Sequence, residues 1–287
     1  MTPKANLGAS VRARLLNKAK AEKIEFQLLL TRFALERLLY RLSISPHRER
    51  FLLKGALLFD LWFDEPHRPT RDADFLGVGP ADLPTLAATF REICAMDVDD
   101  GIAFDPTSVK AQEIRKDANY AGIRITLLGL LDGTRCPVRA DIGFGDAVTP
   151  AAEEIEYPVL LNDLPAPKLR AYPRYTVIAE KFEAITSLGI ANSRMKDFFD
   201  LWVLTRHSNL DVTILGQAIK ATFARRGTAL PTSTPVGLSD EFAADQTKQT
   251  QWRAFTARNQ LRAPELPVIV QHRFLLSLCA FSGKAFR

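Results

Sequence analysis

The sequence predicts an α+β fold, a small mixed β-sheet flanked by helices with a helical C-terminal region. Three observations carry that prediction. A strand–helix–strand stretch, Phe51 to Leu76, follows two helical runs. Apolar runs of period two follow it, broken by the strong turn pair Asp132-Gly133. After a proline cluster between Pro150 and Pro173 the periodicity becomes helical and stays so.

Composition sets the outer bounds. The chain has 287 residues, 47% hydrophobic and 25% charged, enough for one large domain or two medium ones. No apolar run reaches the roughly 18 residues of a membrane span, and the N-terminus lacks a signal-peptide core. A soluble, cytoplasmic protein with no membrane partner is therefore expected. Cys94, Cys136 and Cys279 are widely spaced, which argues against a disulfide framework or zinc site and for small buried apolar residues. The net charge of +5 and pI of about 9.1 permit a polyanionic partner such as RNA without diagnosing one.

In chain order, residues 1 to 5 read as untethered. A basic amphipathic helix runs from about Ala9 to Glu22, with Val11, Leu15, Leu16 and Ala19 on one side. The next helix, roughly Glu25 to Leu42, is apolar on two faces and so predicted to be buried on two sides. Arg32 and Glu36, at i,i+4 between those faces, read as a surface pair. Phe51 to Leu53 begins the central stretch, followed by Lys54-Gly55, an apolar helical segment to about Phe63, a turn, and a strand bearing Asp72 and Asp74. Pro80-Ala81-Asp82 supplies start signals for a helix over Leu83 to Met96. Strands are predicted over Val109 to Arg115, Gly122 to Leu131 and Pro137 to Phe144. Regular structure is expected to be sparse from Pro150 to Pro173, which places a boundary between residues 1–150 and 151–287. Helices follow over about Tyr175–Leu188, Arg194–Arg206, Val212–Arg225, Ser239–Phe255 and Leu266–Phe281. There is no internal repeat.

The chemistry-bearing residues concentrate in two places. Asp72 and Asp74 lie two apart on a strand and so share a face. Crowded carboxylates repel unless a cation separates them, and hard oxygen ligands suit Mg²⁺. Gly55, at a helix start, permits close backbone approach to phosphate. Asp141 lies on a separate, apolar-leaning strand, where an unpaired carboxylate would be penalised. Three carboxylates brought together suit two-metal nucleotidyl transfer. Lys54 reads as a phosphate contact or a strand-end cap, and Thr70 as a phosphate or turn donor. Asp72 and Asp74 could instead bond the neighbouring Arg68 and Arg71.

The second place holds Lys181 on a helix and Asp197 and Asp200 at the start of the next. Lys181 is a mobile cation able to offset triphosphate charge, or the partner of Asp197 in a structural ion pair. Asp197 and Asp200, three apart, share a helical face near its N-terminus. The four histidines are scattered without metal-ligand spacing, and His67, near the first cluster, reads as a surface residue. No Walker A, Rossmann or nucleophile-elbow motif is present. Lys248, Arg253, Arg258, Arg262 and Arg273, interleaved with Trp252 and Phe255, read as an RNA-stacking surface or as a solvated face over an aromatic core.

Lys54-Gly55-Ala56, Arg68 to Phe75 (RPTRDADF), and Lys181 followed by Arg194 to Leu201 (RMKDFFDL) resemble the AbiEii/AbiGii toxin family of the polymerase-β-like nucleotidyltransferase superfamily. The resemblance spans most of the chain. It implies a nucleotidyltransferase core at 1–150 and a helical domain at 151–287 that closes the active-site cleft. It also implies an NTP substrate, Mg²⁺ in a two-metal site, pyrophosphate release, a cognate antitoxin, and for some relatives modification of the tRNA 3′ end. Site residues implied are Asp72, Asp74 and Asp141 as metal ligands, with Lys181 and Asp197 as active-site residues. Lys54, Gly55, Arg68, Thr70 and Asp200 would contact nucleotide phosphates. Relatives usually carry Gly-Gly or Gly-Ser where this chain has Gly55-Ala56, which removes one hydroxyl donor. A small-molecule, antibiotic-modifying nucleotidyltransferase and a catalytically silent nucleotide- or RNA-binding module are the alternative expectations.

Overall fold

The structure is a computed structural model that describes residues 7–63, 68–117, 120–207 and 209–272. Residues 1 to 5, His67, Arg273, Cys279 and the predicted helix beyond residue 272 lie outside the described residues. The chain divides into two compact units, Met1–Gly145 with Glu153–Ala171, and Asp146–Ala152 with Tyr172–Arg287.

The first unit opens with α1 (Leu7–Glu22) and α2 (Phe26–Ile44), which pack on each other. Then come β1 (Phe51–Lys54), a 3₁₀ turn (Gly55–Leu58), α3 (Phe59–Trp62), β2 (Ala73–Gly77), α4 (Leu83–Ala95), β3 (Ile102–Asp117), β4 (Tyr120–Leu131), β5 (Thr134–Phe144), β6 (Glu153–Glu156) and β7 (Lys168–Ala171). Among the described residues these strands form one mixed seven-stranded sheet in the order β3-β4-β5-β2-β1-β7-β6. β3, β4 and β5 form an antiparallel meander, β5 runs parallel to β2, β2 antiparallel to β1, and β1 parallel to β7. Alternation along the strands gives the sheet two unlike faces. Ala73, Phe75, Ile123, Ile125, Val138, Ala140 and Ile142 are buried on one, and α2 and α4 pack against the sheet. Phe90 of α4 meets Phe51, which in turn meets Phe75, at ring-centroid distances of 5.7 and 5.9 Å. The alternate residues, Asp74, Arg124, Thr126 and Arg139 among them, lie on the opposite face and are more open.

Polar groups under α2 pin this arrangement. Arg41 is buried and forks onto Asp100 (2.7 and 3.1 Å), donating also to the Ile102 carbonyl (2.8 Å), so it ties α2 to the start of β3. Cys94 and Cys136 are buried free thiols, and burial pushes the Cys94 thiol up to about 12.

Several features depart from the sequence reading, each for an identifiable reason. β3 starts at Ile102, not Val109, because the interruption at Pro106 is absorbed by a register shift between Asp105 and Lys110. Asp105 accepts from the Thr107 amide (2.9 Å) and hydroxyl (2.7 Å) inside that irregularity. β6 and β7 lie in the proline-rich stretch, since its prolines flank these short strands without interrupting them. The helix predicted over Ser239–Phe255 is α8 (Asp240–Ala244) and α9 (Gln246–Arg258), because Asp245 caps α9 by accepting from the Lys248 amide (2.9 Å). Finally, Arg32 and Glu36 are not a surface pair. Arg32 bonds Asp60 (3.0 Å), whereas Glu36 is 2% exposed, accepts the Leu160 amide (2.6 Å) and lies 2.7 Å from Arg37.

The second unit adds α5 (Arg174–Leu188), α6 (Met195–His207), α7 (Val212–Arg226), α8, α9 and α10 (Leu266–Val270). Asp211 caps the start of α7 through the Thr213 and Ile214 amides (2.8 and 3.1 Å), and Gly227 closes it at φ +67°. Rings from different helices meet in the core, Phe182 with Phe223 and Phe198 with Phe242. Arg226 draws in Glu183 (2.8 Å), Glu180 (3.4 Å) and Asp146 (3.4 Å), and Thr149 and Thr176 bond each other (2.9 Å). These contacts hold residues 146–152 to the helices. Trp252 is 1% exposed with its indole donating to the Pro264 carbonyl (3.0 Å), and Lys248 is buried against the Phe242 ring. Both belong to the core, so the RNA-stacking reading of this region loses its tryptophan and its lysine.

Burial raises the Glu36 carboxyl from 4.5 to about 7, against the opposing pull of Arg37. The folded state therefore binds this proton more tightly than the unfolded chain, and the stability it contributes is present below pH 4.5 and lost as pH rises through 7. Chemical denaturation should show the unfolding free energy falling between pH 5 and pH 8. Glu36→Gln should flatten that slope by a few kcal/mol.

Candidate active site

The sheet register gathers the first set of residues into a single row. Lys54 of β1 stands opposite Asp74 of β2, Asp74 beside Asp141 of β5, and Asp141 opposite Arg124 of β4. Neighbouring strands lie about 4.8 Å apart and register partners share a face, so the row reads cation, anion, anion, cation. Two carboxylates about 5 Å apart repel by about 3 kcal/mol at an effective dielectric of 20. The flanking cations offset that repulsion.

On one side Arg124 holds Asp141 through a bidentate fork, Nε and Nη2 each 2.8 Å from a different carboxylate oxygen. Those bonds, reinforced by the charges of Asp141, Asp72 and Asp74, push the guanidinium pKa further up, so it stays cationic. On the other side the Lys54 side chain crosses over β2. Its Nζ lies 3.7 Å from where a Gly143 Cβ would stand, ordinary van der Waals contact, which places the ammonium over β5 two residues past Asp141. Gly55 is under two constraints. Its φ is +79°, and an added Cβ would lie 2.8 Å from Asp74 Cβ and in collision with the carboxylate. Glycine is required there both by backbone conformation and by the aspartate it admits.

Asp72 does not share the strand with Asp74 as the sequence reading has it: β2 begins at Ala73, and Asp72 sits at the bend just before it, where its Oδ1 accepts from the Thr70 hydroxyl (3.2 Å). Thr70 thus serves the turn in this structure. Arg68, half-buried, lies in the same entering segment. Asp72, Asp74 and Asp141 are the candidate ligands for a cation. Among the described residues no three His, Cys, Asp or Glu side chains are gathered closely enough to hold an ion.

The second set is assembled within the other unit. Lys181 of α5 bonds Asp197 (2.9 Å) and Asp200 (2.6 Å) of α6, whose exposures are 1% and 0%. Arg194 lies 2.8 Å from the second Asp197 oxygen, out of hydrogen-bond alignment. An ammonium between two buried carboxylates is the geometry of a structural ion triad, and it also places a cation where an anion could claim it.

The sequence-level reading missed Arg124. The signal was present. Asp132-Gly133, with φ of +48° and +72°, closes a two-residue hairpin. Counting in step from its flanking pair, Leu131 and Thr134, reaches Arg124 and Asp141 together.

The family model for the AbiEii toxin, a nucleotidyl transferase of type IV toxin–antitoxin systems, matches residues 37–272. The chain belongs to the AbiEii family. That membership assigns it nucleotidyltransferase activity with an NTP substrate, among the toxins of toxin–antitoxin systems. Solved structures share the fold. MenT4, a nucleotidyltransferase toxin from Mycobacterium tuberculosis H37Rv, superposes with a TM-score of 0.52 at 15% identity, covering 96% of this chain and 99% of its own. JHP933 from Helicobacter pylori gives 0.51 at 18% identity over 88% of this chain and 94% of its own. A putative nucleotidyltransferase from H. pylori gives 0.51 at 18% identity over 89% and 99%. No curated protein sequence matches significantly. Among the described residues of this AbiEii-family chain, no helix is long and apolar enough to cross a membrane.

Removing one partner of the Lys181 triad strands the other charges in the interior. Lys181→Met should therefore cost about 3–5 kcal/mol in chemical denaturation. Adding Asp197→Asn and Asp200→Asn to that variant should recover most of the loss.

Proposed function

We propose that the open carboxylate face of the sheet is the catalytic site, that it uses Mg²⁺, and that it transfers a nucleoside monophosphate from an NTP to an acceptor hydroxyl, the 3′ end of a tRNA being the favoured acceptor. The observation that carries this reading is the side-by-side placement of Asp74 and Asp141 on parallel strands. Such placement is unfavourable unless positive charge is meant to sit against it.

The donor chemistry fits Mg²⁺, since Asp72, Asp74 and Asp141 offer hard carboxylate oxygens. When bound there, the metal would supply charge neutralisation at the phosphates and a lowered pKa for the acceptor hydroxyl. The chain's own groups do the rest. Gly55 lets the backbone of the 3₁₀ turn approach phosphate oxygens, and Lys54 adds a cation beside the carboxylates. We infer a phosphate-binding role for Lys181 and an active-site role for Asp197, as the family resemblance implies. In the reaction the acceptor oxygen bonds to the α-phosphorus as the bond to the β-phosphate bridging oxygen breaks, and pyrophosphate leaves.

An RNA acceptor is supported over a cationic small molecule by the rest of this face. Lys110, Thr126 and Arg139 lie in register on β3, β4 and β5, and both basic residues are exposed. Phosphate backbone is attracted to such a surface, whereas a polycationic antibiotic is repelled.

The test incubates wild type and Asp74→Ala with Mg²⁺, total tRNA and each labelled NTP in turn. Label on tRNA should fall at least about 100-fold in the variant. Label on no RNA with any NTP would overturn the acceptor assignment, and undiminished transfer by Asp74→Ala would overturn the site.

A further inference from the structure

The Arg124–Asp141 fork has a role that a purely structural ion pair would not need. Asp141 is 4% exposed and fixed in mid-strand, while the Arg124 side chain retains 27% of its exposure. The carboxylate cannot leave, but the guanidinium can swing toward solvent. The fork engages both Asp141 oxygens, and its positive charge sits in the row where a cation would be held. Asp72 and Asp74 contribute to the same attraction. Arg124 and a divalent ion are therefore rivals for one set of charges.

Building on the reading of this face as the metal site, we propose that Arg124 is a positioning residue that acts through Asp141. It serves as the site's internal counter-ion, holding Asp141 aligned and neutralised in the cation-free protein, and it yields that place as a divalent cation enters. Two consequences follow from the charges. The cation-free site tolerates Asp74 and Asp141 side by side without distorting β2 and β5. Divalent affinity is set below what the bare carboxylates would give, because each ion bound must displace a bidentate pair. The guanidinium so released is left beside the phosphates of the incoming NTP, whose oxygens match its fork, so cation and nucleotide binding reinforce each other.

The test measures Mn²⁺ binding to the full chain from the electron paramagnetic resonance signal of free Mn²⁺, with and without a non-hydrolysable NTP analogue. Wild type is compared with Arg124→Gln, Arg124→Lys and Arg124→Gln combined with Asp141→Asn, each checked for folding by its melting temperature in EDTA. Without nucleotide, Arg124→Gln should bind Mn²⁺ about tenfold more tightly than wild type, equivalent to about 1.4 kcal/mol. Arg124→Lys, which keeps the charge but loses the fork, should fall between them. Asp141→Asn should abolish the gain, and the analogue should tighten Mn²⁺ less in Arg124→Gln than in wild type. Equal or weaker Mn²⁺ affinity in folded Arg124→Gln overturns the proposal while leaving the metal site standing. Mn²⁺ bound by none of the forms, with or without the analogue, overturns the metal-site reading and the proposal together.

Discussion

Two aspartates held in register on adjacent parallel strands are the constraint around which the first unit is arranged. Asp74 and Asp141 cannot move apart without breaking the β2–β5 pairing. That pairing is buried on its other face under Phe75, Ala140 and Ile142. Apolar packing thus holds like charges together and determines much of what surrounds them. Arg124 and Lys54 approach from the strands on either side, and Gly55 lacks a side chain where Asp74 needs space. A local repulsion of a few kcal/mol is a large fraction of a domain's net stability, so this compensation is a condition of folding.

The second unit solves a related problem differently. Its buried charges are grouped around cations, with Lys181 between Asp197 and Asp200, and Arg226 among Glu180, Glu183 and Asp146. In each, a cation on one helix pairs with carboxylates from other segments, which fixes helix register more specifically than apolar contact alone. The Arg226 set also explains why residues 146–152 pack with the helices while the neighbouring β6 and β7 pack with the sheet.

The sequence disclosed the parts of the fold whose signals are local. The strand that carries Asp74, the Asp82-capped α4 and the Asp132-Gly133 hairpin each follow from neighbouring residues. What stayed hidden depends on distant partners. β7 is four residues, two of them charged, and exists because β1 offers a parallel edge far away in the chain. Glu36 satisfied the helix-surface spacing rule with Arg32, yet the segment around Leu160 covers Glu36, and Asp60 takes Arg32 instead. At the candidate site the aspartates were legible from their strand context, whereas Arg124 required pairing register as well as residue type. The relation of Lys181 to Asp197 was foreseen as an ion pair or a catalytic pair, and the bond itself is compatible with either.

The central claim is that the row from Lys54 to Arg124 is built to receive a divalent cation against Asp74 and Asp141. The most direct measurement is a crystal structure with Mn²⁺ and a non-hydrolysable NTP analogue, in which anomalous scattering locates the metal. The account predicts an anomalous peak within ligand distance of Asp74 and Asp141, with Arg124 withdrawn from at least one Asp141 oxygen. A nucleotide and metal bound away from this row, with the Arg124–Asp141 fork intact, would contradict it.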